Sequence, residues 1–216
     1  MLAPWLGLAL AVGVVVFFLA PQGPWKVAAG VAGAAWVLGG TLRFVWTRFR
    51  ATGSRFTAEM LGMTFAHLGI AVFLVGALLV EGLSQQRELA VAPGQQVELG
   101  HYAFRFDGVA RREGPNYVAD SGTVTVFRDD APLAVLRPEK RLYAGGGQVM
   151  TEAAIRPGFS RDLYVALGEP LGNGSWAVRV HVKPFVRWIW SGALLMALGG
   201  FVTATDRRFR RTEAGA

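Results

Sequence analysis

Four long apolar runs alternate with more polar segments along the chain. They cover residues 2–20, 25–42, 62–80 and 188–205. None of them contains Asp, Glu or Arg, and Lys26 lies at the edge of the second run. Each run has about 18 residues or more, which lets a helix cross a hydrocarbon core of about 30 Å. Because a helix satisfies its own backbone hydrogen bonds in lipid, we predict four transmembrane helices.

The segment between the third and fourth runs has a hydrophobic period of two. Apolar and polar residues alternate over 102–107, 123–126 and 178–182, a pattern typical of half-buried strands. Turn residues separate such segments at 93–94, 114–116, 128–130, 145–147 and 172–174. We expect about seven strands in a small barrel or sandwich. The predicted fold class is therefore membrane α-helical, with four transmembrane helices and an all-β extracytoplasmic domain.

These patterns divide the chain into five parts. Residues 1–61 would hold two transmembrane helices and a basic cytoplasmic loop, and residues 62–81 the third helix. Residues 82–185 would form the β-rich domain, 186–206 the fourth helix and 207–216 a basic cytoplasmic tail. The first run has no basic lead-in and a poor cleavage site after Ala20, so we expect a retained helix and not a signal peptide.

The net charge is +7, and all but one unit of it arises outside residues 82–185. Residues 82–185 carry twelve Lys and Arg against eleven Asp and Glu. Eight flanking arginines lie in the loop and the tail, at positions 43, 48, 50, 55, 207, 208, 210 and 211. Because basic residues stay on the cytoplasmic side, both termini are predicted to be cytoplasmic and the β-rich domain external. We therefore expect a lipid membrane and no nucleic acid as partner.

His67 is the one ionisable residue within the third apolar run. At 100° per residue it shares a helix face with Met63, Ala71, Leu74 and Leu78, while the glycines at 69 and 76 lie opposite as a close-packing stripe. Ionisable residues inside membranes are functional candidates, and an imidazole in an apolar pocket suits an axial bond to haem iron. The residues alone favour the plainer interpretation, a histidine that is hydrogen-bonded to a backbone carbonyl or to a Ser or Thr of another helix.

The other candidate residues have plainer interpretations. His101 is predicted to lie on the surface at a turn, and His181 to be solvated on a strand face with Arg179 and Lys183. Trp188 and Trp190 suit an interfacial aromatic belt, with Arg187 extending outward beside them. The glycines at 145–147 suit a flexible turn, or a lid over a ligand. The chain has no cysteine, which excludes thiol chemistry, and no catalytic set is visible.

Several stretches resemble one known family. In the third run they are Gly62-Met63 and Ala66-His67-Leu68-Gly69. Further stretches follow at residues 114–117, 138–141, 150–155, 161–169, 176–179, 183–190 and 195–200. Together, over roughly residues 60–208, they resemble the C-terminal part of the CcmF family, the haem lyase subunit of the bacterial cytochrome c maturation system.

The resemblance implies a setting, a function and a cofactor. CcmF proteins are multi-pass proteins of the bacterial inner membrane, which receive haem from a periplasmic haem chaperone and promote its covalent attachment to apocytochrome c. The family also holds a b-type haem between two histidines of different helices, and one of those positions matches His67. The resemblance thus implies that His67 is an axial ligand of the haem iron, that haem b is the cofactor, that haem is a transient substrate and that the β-domain is periplasmic.

Part of the family pattern is missing from the chain. The tryptophan-rich periplasmic signature with its two histidines does not occur here, nor does the second membrane histidine. We therefore expect a fragment or a split-gene product that is not catalytic alone. Its second iron ligand would come from an N-terminal remainder or a companion chain. The alternative is a non-catalytic, membrane-anchored β-domain that acts as an assembly or docking module for a larger membrane partner.

Overall fold

The computed structural model describes residues 3–20, 24–52, 57–145 and 147–205, which form two compact units. The helical unit takes in the described residues up to Leu83 and from Phe185 onward. The second unit, Ser84–Pro184, consists of β-strands. The predicted division into a helical part and an all-β part is therefore confirmed, although the boundaries of the elements differ from those predicted.

The helical unit contains α1 (Ala3–Leu19), α2 (Pro24–Thr52), α3 (Ala58–Leu83) and α4 (Val186–Ala204). Among the described residues, three helices are long and apolar enough to cross a membrane, namely α2, α3 and α4. The 17-residue α1 is apolar but shorter. All four predicted helices are therefore present, while the count of four membrane crossings stays a prediction.

The predicted basic loop is partly helical, which corrects its boundaries. α2 continues ten residues beyond residue 42 and carries Arg43, Arg48 and Arg50 on its last turns. No Gly or Pro interrupts this stretch, and the Arg50 guanidinium lies 4.5 Å from the ring centre of Trp46 one turn earlier. Arg55 lies outside the described residues. A drop in hydropathy marked the end of the apolar run here, not the end of the helix.

α3 begins four residues earlier than its apolar run. The Met60 backbone N–H donates to the Thr57 hydroxyl at 3.2 Å, so Thr57 caps the helix, and Glu59 lies in the first turn. The helix ends at Leu83, and Ser84 alone separates it from the first strand, β1 (Gln85–Val91).

Glycine brings α3 and α4 into close backbone contact, as the predicted stripe requires. A Cβ atom built on Gly69 would lie 2.6 Å from the Met196 nitrogen and 2.7 Å from the Gly192 oxygen. On Gly76 it would lie 2.8 Å from the Ile189 nitrogen. Such spacings leave no room for a side chain. Small residues that let backbones approach are the usual means of packing helices in lipid.

The β-unit is a two-layer sandwich, and its described residues form ten strands, more than the seven or so expected. In chain order, β1 to β10 are Gln85–Val91, Gln96–Leu99, Tyr102–Glu113, Tyr117–Arg128, Ala131–Leu136, Glu139–Tyr143, Val149–Glu152, Ala154–Arg156, Arg161–Gly172 and Ser175–Pro184. One sheet has the order β1-β10-β9-β8, and the other β2-β3-β4-β6-β7 with β5 also paired to β4. These pairings are antiparallel.

Large side chains from both sheets fill the core of the sandwich. Phe104 and Phe106 on β3 are almost fully buried against inward residues of β4, β9 and β10. Turns or bends occur at each of the five predicted places, within the residues that the structure describes. The hairpin between β9 and β10 turns at Asn173 and Gly174, both with positive φ, as a two-residue turn of the primed type needs.

Candidate functional site

His67 lies on the exposed side of α3, and one of its ring nitrogens is engaged within the helix. Its Nδ1 is 2.9 Å from the carbonyl oxygen of Met63, one turn earlier. Because a carbonyl only accepts hydrogen bonds, this contact assigns the ring proton to Nδ1. The Nε2 atom is then the one with a lone pair, and it points away from the backbone that holds the ring.

The predicted division of α3 into two faces holds in part. Gly62, Gly69 and Gly76 are buried against α4, as expected of the stripe opposite His67. The His67 face itself is not uniform, because Ala71 is buried and Leu78 packs against the small apolar cluster around Val27. Of the five residues on this face His67 is exposed, Ala71 is buried, and Met63, Leu74 and Leu78 are half-buried.

The exposed imidazole of His67 has the chemistry that one axial ligand of a haem would need. A histidine that binds a metal through one nitrogen usually donates the other N–H to a carbonyl or carboxylate, which fixes the ring. The bond to Met63 provides this orientation. Within the described ranges no three or more His, Cys, Asp or Glu residues cluster as a metal site. His67 is the one histidine of the apolar helices, since His101 and His181 lie in the sandwich. A bis-histidine haem at His67 would therefore need its second ligand from another polypeptide segment.

The two histidines of the sandwich differ from each other. His101 is exposed in the turn after β2, as predicted. His181 shares its face with Arg179 and Lys183, yet it is half-buried, with its ring edge-on to Tyr164 at 5.1 Å. Burial lowers the pKa of His181 below its usual value, and the neighbouring positive charges lower it further. The expectation of a simply solvated His181 is therefore wrong.

The two tryptophans at the start of α4 take different positions. Trp190 is exposed, as a residue of an interfacial aromatic belt would be. Trp188 is half-buried, and its ring centre lies 5.2 Å from that of Phe185. A Cβ atom built on Gly76 of α3 would lie 3.0 Å from the Cβ of Trp188. Trp188 thus contributes to packing between α3 and α4. Arg187 beside them is exposed, as predicted.

The glycine turn at 145–147 borders a cavity of about 510 Å³ at one end of the sandwich. Tyr117 and Tyr143, paired across β4 and β6, lie 5.4 Å apart between ring centres and line it together with Gly147. Gly147 has a φ of 61°, which glycine adopts without strain. Gly146 lies outside the described residues. The turn therefore borders an open cavity, and its role as a lid stays a prediction.

A second cavity of about 300 Å³ lies between β7 and β9, and we name it the β7–β9 cleft. Val118 and Leu142 line both this cavity and the first one. The side chain of Lys140 is only 9% exposed here and makes an ion pair with Glu169 of the opposite sheet. Sequence analysis gave Lys140 no role, because a lysine on a short strand reads as solvent-facing.

Comparisons with known proteins agree with this architecture. The model of the family described as CcmF C-terminal beta-sandwich matches residues 82–184. The cytochrome c-type biogenesis protein CcmF of Pseudomonas aeruginosa is 53% identical over 191 residues, which are 86% of this chain and 29% of the relative. The protein of that name from Escherichia coli is 42% identical over 211 residues, 98% of this chain and 31% of the relative.

A solved structure named Cytochrome c Heme Lyase CcmF has the same fold. It matches with a TM-score of 0.70 over 93% of this chain and 34% of that chain, at 17% identity. This likeness supports the fold alone. The chain spans about a third of the length of the curated relatives that it matches, and it aligns with their C-terminal part. It therefore belongs to the CcmF family and corresponds to the C-terminal part of that family's members.

Proposed function

We propose that this chain is the C-terminal portion of a haem lyase component that takes part in attaching haem covalently to apocytochrome c. The observation that carries the proposal is the 53% identity, over 86% of the chain, to a protein named for cytochrome c biogenesis. Identity at this level extends through the helices as well as the sandwich, so the whole chain would share the biogenesis role.

Within this function His67 would supply one axial ligand to a b-type haem. The support is its exposed position on α3, the Nδ1 contact to the Met63 carbonyl and the lone pair that this leaves on Nε2. A haem bound there would supply one-electron redox chemistry. The backbone of α3 would hold the imidazole in one orientation, and the second ligand would come from the N-terminal remainder or a companion chain.

The sandwich would lie in the periplasm of a bacterial inner-membrane protein with both termini in the cytoplasm. The support is the position of the arginines at the ends of the apolar helices, which lie on the last turns of α2, in the segment that follows it and in the C-terminal tail of the sequence. The apocytochrome and the periplasmic haem chaperone would then approach the sandwich from the same side. A reporter enzyme inserted in the glycine turn at 145–147 should be active only in the periplasm.

A second candidate is a non-catalytic docking module that binds no haem. The hydrogen bond between His67 and Met63 is the observation that favours it, since a histidine satisfied within its own helix needs no metal. The sandwich would then still assemble with a larger membrane partner, and the surface of α3 around His67 would be a plain protein contact.

Absorbance spectroscopy separates the two candidates. The chain is purified in detergent with the polypeptide that completes it, and a reduced spectrum is recorded for wild type, His67→Ala and His101→Ala. His101 is a matched control, because it is an exposed histidine in a turn of the sandwich. We expect the Soret band to be lost in His67→Ala alone. A band that survives this substitution unchanged removes His67 from the haem and favours the docking module.

A further inference from the structure

We propose that an anionic phospholipid binds where the start of α1 meets the last turns of α2. A cavity of about 700 Å³ lies at this place, and we name it the α1–α2 groove. It is lined by Trp5 of α1 and by residues 42, 43, 45, 46, 47 and 49 of α2. Such binding goes beyond the haem lyase role and requires only that α2 spans a membrane, for which this helix is long and apolar enough.

The arginines of α2 lie at the level of the lipid headgroups. The apolar run of this helix ends at Leu42 after about 18 residues, a length that crosses the hydrocarbon core. α2 continues as a helix to Thr52, so its last ten residues extend about 15 Å beyond that core. Arg43 therefore lies at the edge of the hydrocarbon, and Arg50 lies about two turns further out.

Arg43, Trp46 and Arg50 form one row along α2, because residues three, four and seven positions apart share a helix face. The Arg50 guanidinium lies 4.5 Å from the ring centre of Trp46, so the ring holds this charge beside the groove. Arg43 lines the groove itself. Two guanidinium groups that flank an aromatic ring offer several N–H donors to the oxygens of a phosphate diester.

The net charge at this end of the helices is positive whatever pairs form within the protein. Residues 40–60 contain four arginines and one acidic residue, Glu59. Because one carboxylate neutralises one guanidinium at most, three positive charges remain. A leaflet that contains anionic lipid supplies negative charge at this level, and basic residues at the end of a membrane helix attract it.

The remaining walls of the groove suit acyl chains. Leu42, Trp46 and Phe49 are exposed to about half of their surface. Trp5 forms the α1 side, and its indole lies directly against the backbone of α2, because a Cβ atom built on Gly39 would lie 2.7 Å from its Cε3 atom. An apolar groove with basic residues at its outer end matches a phospholipid, which has both acyl chains and a charged headgroup.

A second groove between the same two helices lacks the charge. It has a volume of about 390 Å³ and lies between residues 10–18 of α1 and residues 25–32 of α2. None of its described lining residues is charged. Acyl chains of any phospholipid would fit there, since nothing in the lining selects a headgroup. Selectivity for a negative headgroup is therefore the property that sets the α1–α2 groove apart.

Native mass spectrometry measures this selectivity on the chain purified in detergent with the polypeptide that completes it. The probes are phosphatidylglycerol and phosphatidylcholine with identical acyl chains, which differ in the net charge of the headgroup. We expect phosphatidylglycerol to bind to the wild type about tenfold more tightly than phosphatidylcholine. Equal affinities for the two lipids would overturn the anionic site, and this comparison needs no variant.

Charge variants locate the selective site. Arg43→Gln and Arg50→Gln should each weaken the binding of phosphatidylglycerol about fivefold, while phosphatidylcholine stays within about twofold of wild type. Lys26→Gln is the matched control, because Lys26 is an exposed cation at the other end of the same helix. An equal loss in Lys26→Gln, or no loss in the two arginine variants, would contradict the proposal.

Two leucines test the apolar part of the groove. Leu42 lines it and is 52% exposed, whereas Leu8 of α1 is outside its lining and is 55% exposed. Leu42→Trp places a large ring in the groove and should weaken phosphatidylglycerol about tenfold, while Leu8→Trp should stay within about twofold of wild type. Because both positions are exposed, neither ring has to enter the protein interior. Equal effects of the two variants would show that the groove does not hold the lipid.

Photo-crosslinking distinguishes a lipid from a protein in the groove. A benzophenone-bearing residue replaces Leu42 in cells, and the crosslinked product is analysed by mass spectrometry. We expect an adduct with the mass of an anionic phospholipid. An adduct with the N-terminal remainder or with a companion chain would overturn the lipid site and identify a contact between helices in its place.

Discussion

The helical unit and the sandwich achieve close packing in opposite ways. α3 and α4 pack through glycines, where the absence of a side chain lets backbone atoms meet. The sandwich packs through large side chains such as Phe104, Phe106 and Leu163. Water drives apolar side chains together in the sandwich, while between helices in lipid that force is absent and close contact has to supply the attraction. The solvent thus decides whether a large or a small residue stabilises a contact.

The hydrogen-bond partners of polar side chains also differ between the two units. In the helices, the hydroxyls of Thr41, Thr64 and Thr203 each donate to a carbonyl four residues earlier. His67 follows the same pattern with one of its two nitrogens. In the sandwich, polar groups pair between side chains, as Thr125 does with Asp107 on the neighbouring strand. A group in lipid uses the nearest backbone acceptor, and His67 stands out because it has a second ring nitrogen beyond that bond.

The largest effect should come from emptying the sandwich core. Phe104→Ala removes a fully buried ring and should cost about 3–5 kcal/mol of unfolding free energy, measured by hydrogen exchange in peptides of the sandwich. Phe159→Ala, at an exposed loop position, should cost less than about 0.5 kcal/mol. If the two substitutions cost the same, the sandwich does not depend on its large core side chains.

Adding a side chain, rather than removing one, should destabilise the packing of α3 and α4. A Cβ on Gly199 would lie 2.5 Å from the Gly62 oxygen, whereas Gly200, the next residue of α4, has nothing within 4 Å. We expect Gly199→Ala to cost about 1–3 kcal/mol, because backbone atoms cannot move aside. Gly200→Ala should be neutral or slightly stabilising. Thermal unfolding in detergent measures both, and equal midpoints would contradict packing by glycine.

A smaller effect is expected at the Asp107 pair on the sandwich surface. Burial alone would raise the pKa of Asp107, but hydrogen bonds from Thr125 and Arg105 outweigh it, so the pKa lies below the usual 3.8. The unfolded chain then binds more protons below pH 3.8, and the stabilisation is lost as the pH falls through that range.

Asp107→Asn should therefore cost about 1 kcal/mol at neutral pH and much less in acid, as measured by urea unfolding of the sandwich. Asp129→Asn, in an exposed hairpin turn, should cost less than about 0.5 kcal/mol. A penalty for Asp107→Asn that does not shrink in acid would show that the carboxylate charge is not its cause.

The smallest effect concerns His181. Because its pKa is lowered in the folded state, the unfolded chain binds more protons as the pH falls below the usual 6.5, and the sandwich loses stability there. His181→Gln should remove this part of the pH dependence, which unfolding midpoints at pH 5.5 and 7.5 would detect. A dependence that is unchanged in the variant would assign it to other groups.

Sequence patterns predicted the major elements but not their ends or the short strands. Apolar runs located all four helices. α2 extends beyond its run because arginine lowers the hydropathy of a segment but is a good helix former. The period of two identified the long strands. β7 and β8 have four and three residues, too few to show a period, and they account for part of the difference between the seven strands expected and the ten observed.

The sequence alone determined the two kinds of solvent that the chain meets, the glycine stripe of α3 and the one histidine within an apolar helix. These depend on the order of neighbouring residues, which periodicity reads directly. Only the tertiary structure decided that the side chain of Lys140 is buried and paired with Glu169 of the opposite sheet. The ion pair of Lys140 joins residues 29 positions apart on different sheets, and no local pattern contains such a contact.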